Sequence, residues 1–313
     1  MSEQKIICVV GGSGFVGRHV VRALVARGYL VKVIGRSPFA AEDLKTMGEL
    51  GQVAFAEGDV VQPKSVARHF AGAHAVVNLT GILFEKGKQR FIPIHAHAPE
   101  HLAKAAKAAG AEIFIQMSAL GVDRASASAY ASNKMMGEKV VRSIFPNATV
   151  IRPSVIFGPE DNFFNQFAGL AEKLPALPLI GGGETKFQPV YVGDVADVII
   201  QSIEQPARAA GQRFELGGPR VMTFKEVLEY ILEVTGQKAC LVKVPFGLAR
   251  FQARFAELLP TPPITRDQVT LLKYDNVLSG EFPTMEALGV TATSVDSVVP
   301  EYLEHYKKRK AGL

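Results

Sequence analysis

The residues whose types and spacing could do chemistry are Ser118, Tyr130 and Lys134. Tyr130 and Lys134 stand four apart in YASNKMMGEK, which places both on one face of a helix. A lysine cation beside a phenol favours its ionised form, so Tyr130 can give or take a proton at a carbonyl oxygen while Lys134 also holds a sugar hydroxyl. Ser118 follows the apolar run Ile113–Met117 and would hold the substrate oxygen. This set needs a hydride carrier, and Gly11-Gly12-Ser13-Gly14-Phe15-Val16-Gly17 offers a place for one. Gly11, Gly14 and Gly17 permit a tight turn, close approach of a pyrophosphate and close helix packing. Phe15 and Val16 open a helix whose N–H groups and dipole favour the anion.

The second strand should end near Ile34, where an acidic residue would select NAD(H) by accepting from both ribose hydroxyls. Gly35-Arg36-Ser37 stands there instead. The Arg36 guanidinium suits a 2′-phosphate, so NADP(H) is the favoured cofactor, with NAD(H) as the alternative. Gly58-Asp59-Val60 follows the third strand and is expected beside adenine, with Asp59 accepting from its exocyclic amine.

These positions require a particular frame. Apolar runs at Ile6–Val10, Leu30–Ile34, Val53–Ala56, Ala75–Leu79, Ile113–Met117 and Val150–Val155 alternate with helical patterns at Phe15–Arg27 and Glu100–Ala109. Val/Ile runs without polar alternation suit strands buried on both faces, so the fold class is α/β, a doubly wound parallel sheet of the Rossmann type. Beyond it the pattern loosens at Pro159, Pro175, Pro178 and Gly181–Gly183, then resumes as a helix at Val192–Glu204, a strand at Arg213–Leu216 and a helix at Thr223–Val234. The expected division is a dinucleotide-binding domain over 1–155 and 187–217, with a smaller lobe over 156–186 and 218–313.

Composition narrows the classes further. The chain has 313 residues, 48% of them hydrophobic, enough for a substantial core and against general disorder. No apolar run reaches the length of about 18 residues that a spanning helix needs. Net charge is +5, but residues 1–150 hold 18 Lys/Arg against 11 Asp/Glu, while the remainder holds 17 against 19. That basic excess lacks a clustered stripe and suits a phosphate-bearing small molecule rather than nucleic acid. A strand-like run so close to Met1 leaves no room for a signal peptide, and two cysteines make no disulfide framework, so a reducing cytoplasm is expected. His95, His97 and His101 lack a carboxylate or thiolate to complete a metal shell, and Pro99 at the first helical turn would place His95 before the helix. The Phe-rich stretch at 162–167 would line an apolar pocket or pack the smaller lobe. Phe246–Leu259 reads as an amphipathic helix with Arg250 and Arg254 four apart, and Lys307–Lys310 as a disordered basic tail.

Taken together, Gly11–Gly17, Asn78-Leu79-Thr80-Gly81, Ser118, Tyr130 with Lys134, Arg152-Pro153 and Val192-Gly193-Asp194-Val195-Ala196 resemble the extended or atypical short-chain dehydrogenase/reductase superfamily. Within it, MSALGVD, the run Gln188–Val195, LPTPPITRDQV at Leu259–Val269 and Asp275-Asn276-Val277 resemble the nucleotide-binding accessory subunits of respiratory complex I and their bacterial relatives. The resemblance implies that Thr80, Gly81, Tyr130, Lys134 and Pro153 to Ile156 surround the nicotinamide and its ribose. It further implies complex I subunits or a quinone as partners, peripheral on the cytoplasmic face of the inner membrane, with a structural nucleotide. An NADPH-dependent reductase of a carbonyl or quinone-like substrate is the alternative. Val10 stands where the family often has Thr, His95 where it often has Asn, and Ala119 where epimerases and dehydratases tend to show a second hydroxyl residue, which disfavours sugar-nucleotide chemistry.

Overall fold

A computed structural model describes residues 4–307, which divide into two compact units. The first takes the chain up to Arg152 together with Gly193–Leu216 and Gly280–Thr291. Its centre is a seven-stranded sheet: β1 (Ile6–Val10), β2 (Leu30–Gly35), β3 (Val53–Glu57), β4 (Ala73–Asn78), β5 (Ile113–Met117), β6 (Thr149–Pro153) and β7 (Arg213–Leu216). The order across the sheet is β7-β6-β5-β4-β1-β2-β3, with parallel pairing from β6 through to β3. Strands β5 and β6 are buried at every residue, which is why their sequences lack polar alternation.

The covering helices include α1 (Phe15–Ala26), α2 (Ala98–Ala108), α3 (Ala129–Ile144) and α4 (Val192–Glu204). Ser128 caps α3 by accepting from the Ala131 N–H at 3.2 Å, so the chain enters that helix one residue before Tyr130. Phe70, Leu102, Phe114, Val141 and Phe145 pack with β1 and β4 into one hydrophobic cluster. Because β1 lies between β2 and β4, the chain reverses its direction of travel across the sheet there, and the carboxyl ends of β1 and β4 border the crevice where such folds take a ligand.

Several segments depart from the division expected on sequence. Gly280–Thr291 groups with the Rossmann unit and not with the C-terminal lobe, because Glu215 N donates to Pro283 O at 3.0 Å and the Phe282 ring lies 5.0 Å from the Arg152 guanidinium. Residues 153–155 and 187–192 in turn group with the second unit, where Val190 pairs with Ile156.

The second unit, residues 153–192, 217–279 and from Ala292 onward, has its own core around Phe157, Phe164, Phe187, Phe224 and Ile231. The Phe-rich stretch belongs to that core: Phe164 is buried, and Phe163 and Phe167 pack against it. A parallel pair that the sequence pattern did not reveal, Ala176–Ile180 with Cys240–Val244, leads into the helix Phe246–Ala256. The basic tail expected at Lys307–Lys310 lies, from residue 308, outside the described residues.

Candidate functional site

The glycine loop joins β1 to α1, and its glycines have separate physical reasons. Gly11 adopts φ +83°, a left-handed conformation that a side chain would strain, and lies against the backbone of Thr80, whose amide nitrogen would stand 3.3 Å from an added Cβ. Gly17 is inside the first turn of α1, where a Cβ would fall 2.5 Å from the Gly11 and Gly12 oxygens. Helix and loop therefore touch at backbone distance. Gly14 is the N-cap residue and supplies no side-chain acceptor, leaving the N–H groups of the first turn, at Phe15, Val16 and Gly17, directed toward whatever binds the loop.

At the carboxyl end of β2, Gly35 lies beside Ser13 and Arg36 is exposed. The Arg36 guanidinium faces the side-chain amide of Gln89, a neutral neighbour whose oxygen accepts from it once the amide is oriented to satisfy both groups. Asp59 is half-buried, and its Oδ1 accepts the Val61 N–H at 3.2 Å while its backbone N–H is held by Ser65 at 2.9 Å. That carboxylate therefore shapes a turn after β3, and Val60 packs on the hydrophobic cluster behind it.

Thr80 and Gly81 follow β4 and connect the glycine loop to the chemical residues. Asn78 Oδ1 accepts from both the hydroxyl and the N–H of Thr80, at 2.6 and 3.1 Å, and Asn78 is itself held by Gln116 at 2.9 Å. Gly81 leaves room for Lys134: an added Cβ would lie 3.3 Å from Nζ. Lys134 is buried on α3 and donates to the Met117 carbonyl oxygen at 3.2 Å, next to Ser118. Burial pushes the Lys134 ammonium down to about 8, against the opposing pull of Glu138 one turn further along α3.

Ser118 is buried, and among the described residues its Oγ has no hydrogen-bond partner. A buried hydroxyl left unsatisfied costs free energy, so it points to a ligand group that completes it. Tyr130, half-buried, stands edge to face with His95 at 5.2 Å and with Phe91 at 5.9 Å. The structure thus brings Gly11, Thr80, Gly81, Lys134 and the Met117-Ser118 peptide into one connected series, with His95 and Tyr130 against each other beside it. Pro153 ends β6, and Ile156 pairs with Val190 in the second unit.

His95 precedes the α-helix whose first turn holds Pro99, as expected, but it lies inside a π-helical turn, Ile92–His97, that runs directly into α2. The backbone of α3 packs against this turn: Gly137 faces the His95 carbonyl, and a Cβ there would overlap the oxygen. The imidazole is buried, with Nε2 at 3.1 Å from both the N–H and the carbonyl oxygen of Ile82, whereas Nδ1 has no partner among the described residues. Burial and the nearby Lys134 charge hold its pKa down to about 3, so it is a neutral group that fixes the loop after Gly81. Sequence reasoning missed Gly137, although glycine inside a helix costs about 1 kcal/mol and so marks a close approach.

Beneath Lys134, fully buried Arg152 forks onto Glu138 at 2.9 and 2.8 Å, meets Asp123 at 2.8 Å and lies 4.0 Å from Glu215. This set anchors α3, β6 and the turn after β5 to one another.

Residues 7–217 match the NAD dependent epimerase/dehydratase family. The chain belongs to this family, whose members bind a nicotinamide dinucleotide. It is 34% identical over 314 residues to the NADH dehydrogenase [ubiquinone] 1 alpha subcomplex subunit 9, mitochondrial, of Arabidopsis thaliana, covering 97% of this chain and 78% of that protein. The Mus musculus protein of the same name is 34% identical, with 96% and 80% covered. Among solved structures, the Thermus thermophilus UDP-glucose 4-epimerase complex with NAD is similar in fold, with a TM-score of 0.70, 18% identity, and 96% of this chain and 98% of that chain covered.

Proposed function

We propose that the protein is a nucleotide-binding accessory protein of respiratory complex I or of quinone metabolism, peripheral on the cytoplasmic face of the inner membrane, that holds NADP(H) in its Rossmann unit. The observation that carries the nucleotide half of this reading is the connected series from Gly11 through Thr80 and Gly81 to Lys134, which leaves Ser118 Oγ to be completed by a ligand. The similarity to subunits named for NADH dehydrogenase, over 97% of this chain, supports the accessory role. Gly11, Gly14, Phe15, Val16 and Gly17 would hold the pyrophosphate. Arg36 would face the adenosine 2′-phosphate, Asp59 and Val60 would lie by adenine, and Thr80, Gly81, Tyr130 and Lys134 would surround the nicotinamide end. A ligand bound this way stabilises the folded state by mass action without any turnover.

A second reading rests on the same unsatisfied serine. Ser118, Tyr130 and Lys134 are together the groups that a carbonyl reductase needs. A nicotinamide, when bound, supplies or accepts hydride. The Tyr130 hydroxyl then gives its proton to the substrate oxygen, Ser118 donates a hydrogen bond to that oxygen, and the Lys134 cation stabilises the phenolate left behind.

Mass spectrometry of the nucleotide retained on gently purified protein, followed by addition of quinones and small carbonyls, separates the two. Retained NADPH that no acceptor discharges, together with co-purification of the protein with respiratory membranes, is the expected result. A loosely held nucleotide that turns over, with loss of that turnover in Tyr130→Phe, would establish the reductase instead.

A further inference from the structure

We propose that the helix Phe246–Ala256 is a preformed docking surface for an anionic lipid bilayer, onto which it lies with its axis in the plane of the headgroups. The helix is turned opposite to the usual arrangement. Its small residues, Ala249 and Ala253, are buried against Ile180 and Val269, and after Phe246, which packs inward with them, its large residues point outward. Phe251 is 61% exposed and Phe255 57%, the two rings packed edge to face at 5.2 Å, with Leu248 on the same side. Leu258, 81% exposed, and Leu259 extend the apolar surface past the helix end, and Val242 is exposed on the strand before it. Six of the large hydrophobic residues found exposed in the described chain thus fall within residues 242–259.

Charge selects the occupant. Lys238, Lys243, Arg250 and Arg254 lie within residues 238–259 against a single acid, Glu257. That acid is taken up by Arg266, through contacts of 2.7 and 2.8 Å to its backbone N–H and its guanidinium. Arg250 and Arg254, four apart and both exposed, flank the Phe row, and among the described residues neither forms an ion pair. Basic residues beside an outward Phe/Leu face are the pattern of a helix lying in a bilayer interface with acidic headgroups. A second copy of this chain is a poor occupant, since two-fold pairing would bring the arginines to a patch whose one acid, Glu257, is already held by Arg266. The helix is also fixed beforehand: Phe246 fills the space that a side chain at Gly181 would need, and Lys273 Nζ stands 5.6 Å from its ring, so little ordering cost remains on docking.

The test uses the full chain with no respiratory complex present, so its outcome is independent of the accessory role. The protein is sedimented with vesicles of phosphatidylcholine alone or mixed equally with phosphatidylglycerol. Binding to the mixed vesicles only is expected, and Phe251→Ser with Phe255→Ser should weaken partitioning by roughly tenfold or more while nucleotide retention stays at the parent level. Arg250→Gln with Arg254→Gln should weaken it too and flatten its salt dependence. The proposal is overturned if the parent stays in the supernatant at low salt, or if the Phe variant partitions like the parent. It is equally overturned if removal of residues 308–313 alone abolishes binding, or if the parent is a dimer that the Phe substitutions dissociate.

Discussion

The α-carbon of Gly137 lies so close under the carbonyl oxygen of His95 that the two helices carrying them meet backbone to backbone. That contact sets the depth at which α3 sits, and α3 carries Tyr130 and Lys134. Gly137→Ala must push α3 away from the π-helical turn or unwind the turn. The expected cost is about 1–3 kcal/mol in urea denaturation, with loss of the retained nucleotide, because Lys134 moves from Gly81. An alanine variant of parent stability that keeps its nucleotide would show that the contact positions nothing.

The Lys134 ammonium, held down to about 8 by burial, predicts a pH dependence of nucleotide binding. The cation that would hold the ribose hydroxyls is present below that pH and lost above it. Affinity should thus be greatest below about pH 8 and fall as pH rises through it. Stability of the nucleotide-free protein should move the opposite way. The folded pKa is below the ordinary 10.5, so the unfolded chain holds more protons between about 8 and 10.5, and stability rises with pH across that window. Titration calorimetry of NADPH from pH 6.5 to 9.5 checks the first part, and Lys134→Met should flatten the profile.

Much of this candidate site is legible in the sequence alone. The glycine loop announces itself because backbone constraint at Gly11 and Gly17 can be met by one residue type, and Tyr130 with Lys134 because helical spacing is local. The π-helical turn that holds His95 is not legible there, since the Gly137 backbone packed against it comes from α3, more than one element away, although Pro99 does mark the first turn of the α-helix that follows. The partners of Arg152 were hidden for the same reason. Asp123, Glu138 and Glu215 are scattered in sequence, and Phe282 comes from a segment that only tertiary packing returns to the first unit.

Arg36 should decide between the two dinucleotides. It is exposed at the end of β2 and faces a neutral amide, so its charge is available to a 2′-phosphate, and Gly35 beside it brings no competing carboxylate. Arg36→Glu should lower the ratio of NADPH to NADH affinity by roughly tenfold or more, the worth of one charge-assisted contact plus the new repulsion. An unchanged ratio in equilibrium binding would remove Arg36 from the phosphate.

Arg152 and Glu138 tie the stability of the unit to the electrostatics of the site. Burial works against the Arg152 charge, but the hydrogen bonds and charges of Glu138 and Asp123 outweigh it and leave the guanidinium more basic than usual. Arg152→Met would strand the buried Glu138 carboxylate and should cost about 3–5 kcal/mol in urea denaturation, whereas Arg152→Met with Glu138→Gln should recover a large part of that loss. Glu138 also raises the Lys134 pKa against burial, so Glu138→Gln alone should carry the midpoint of pH-dependent nucleotide binding below that of the parent. A merely structural Glu138 would change stability and leave that midpoint where it was.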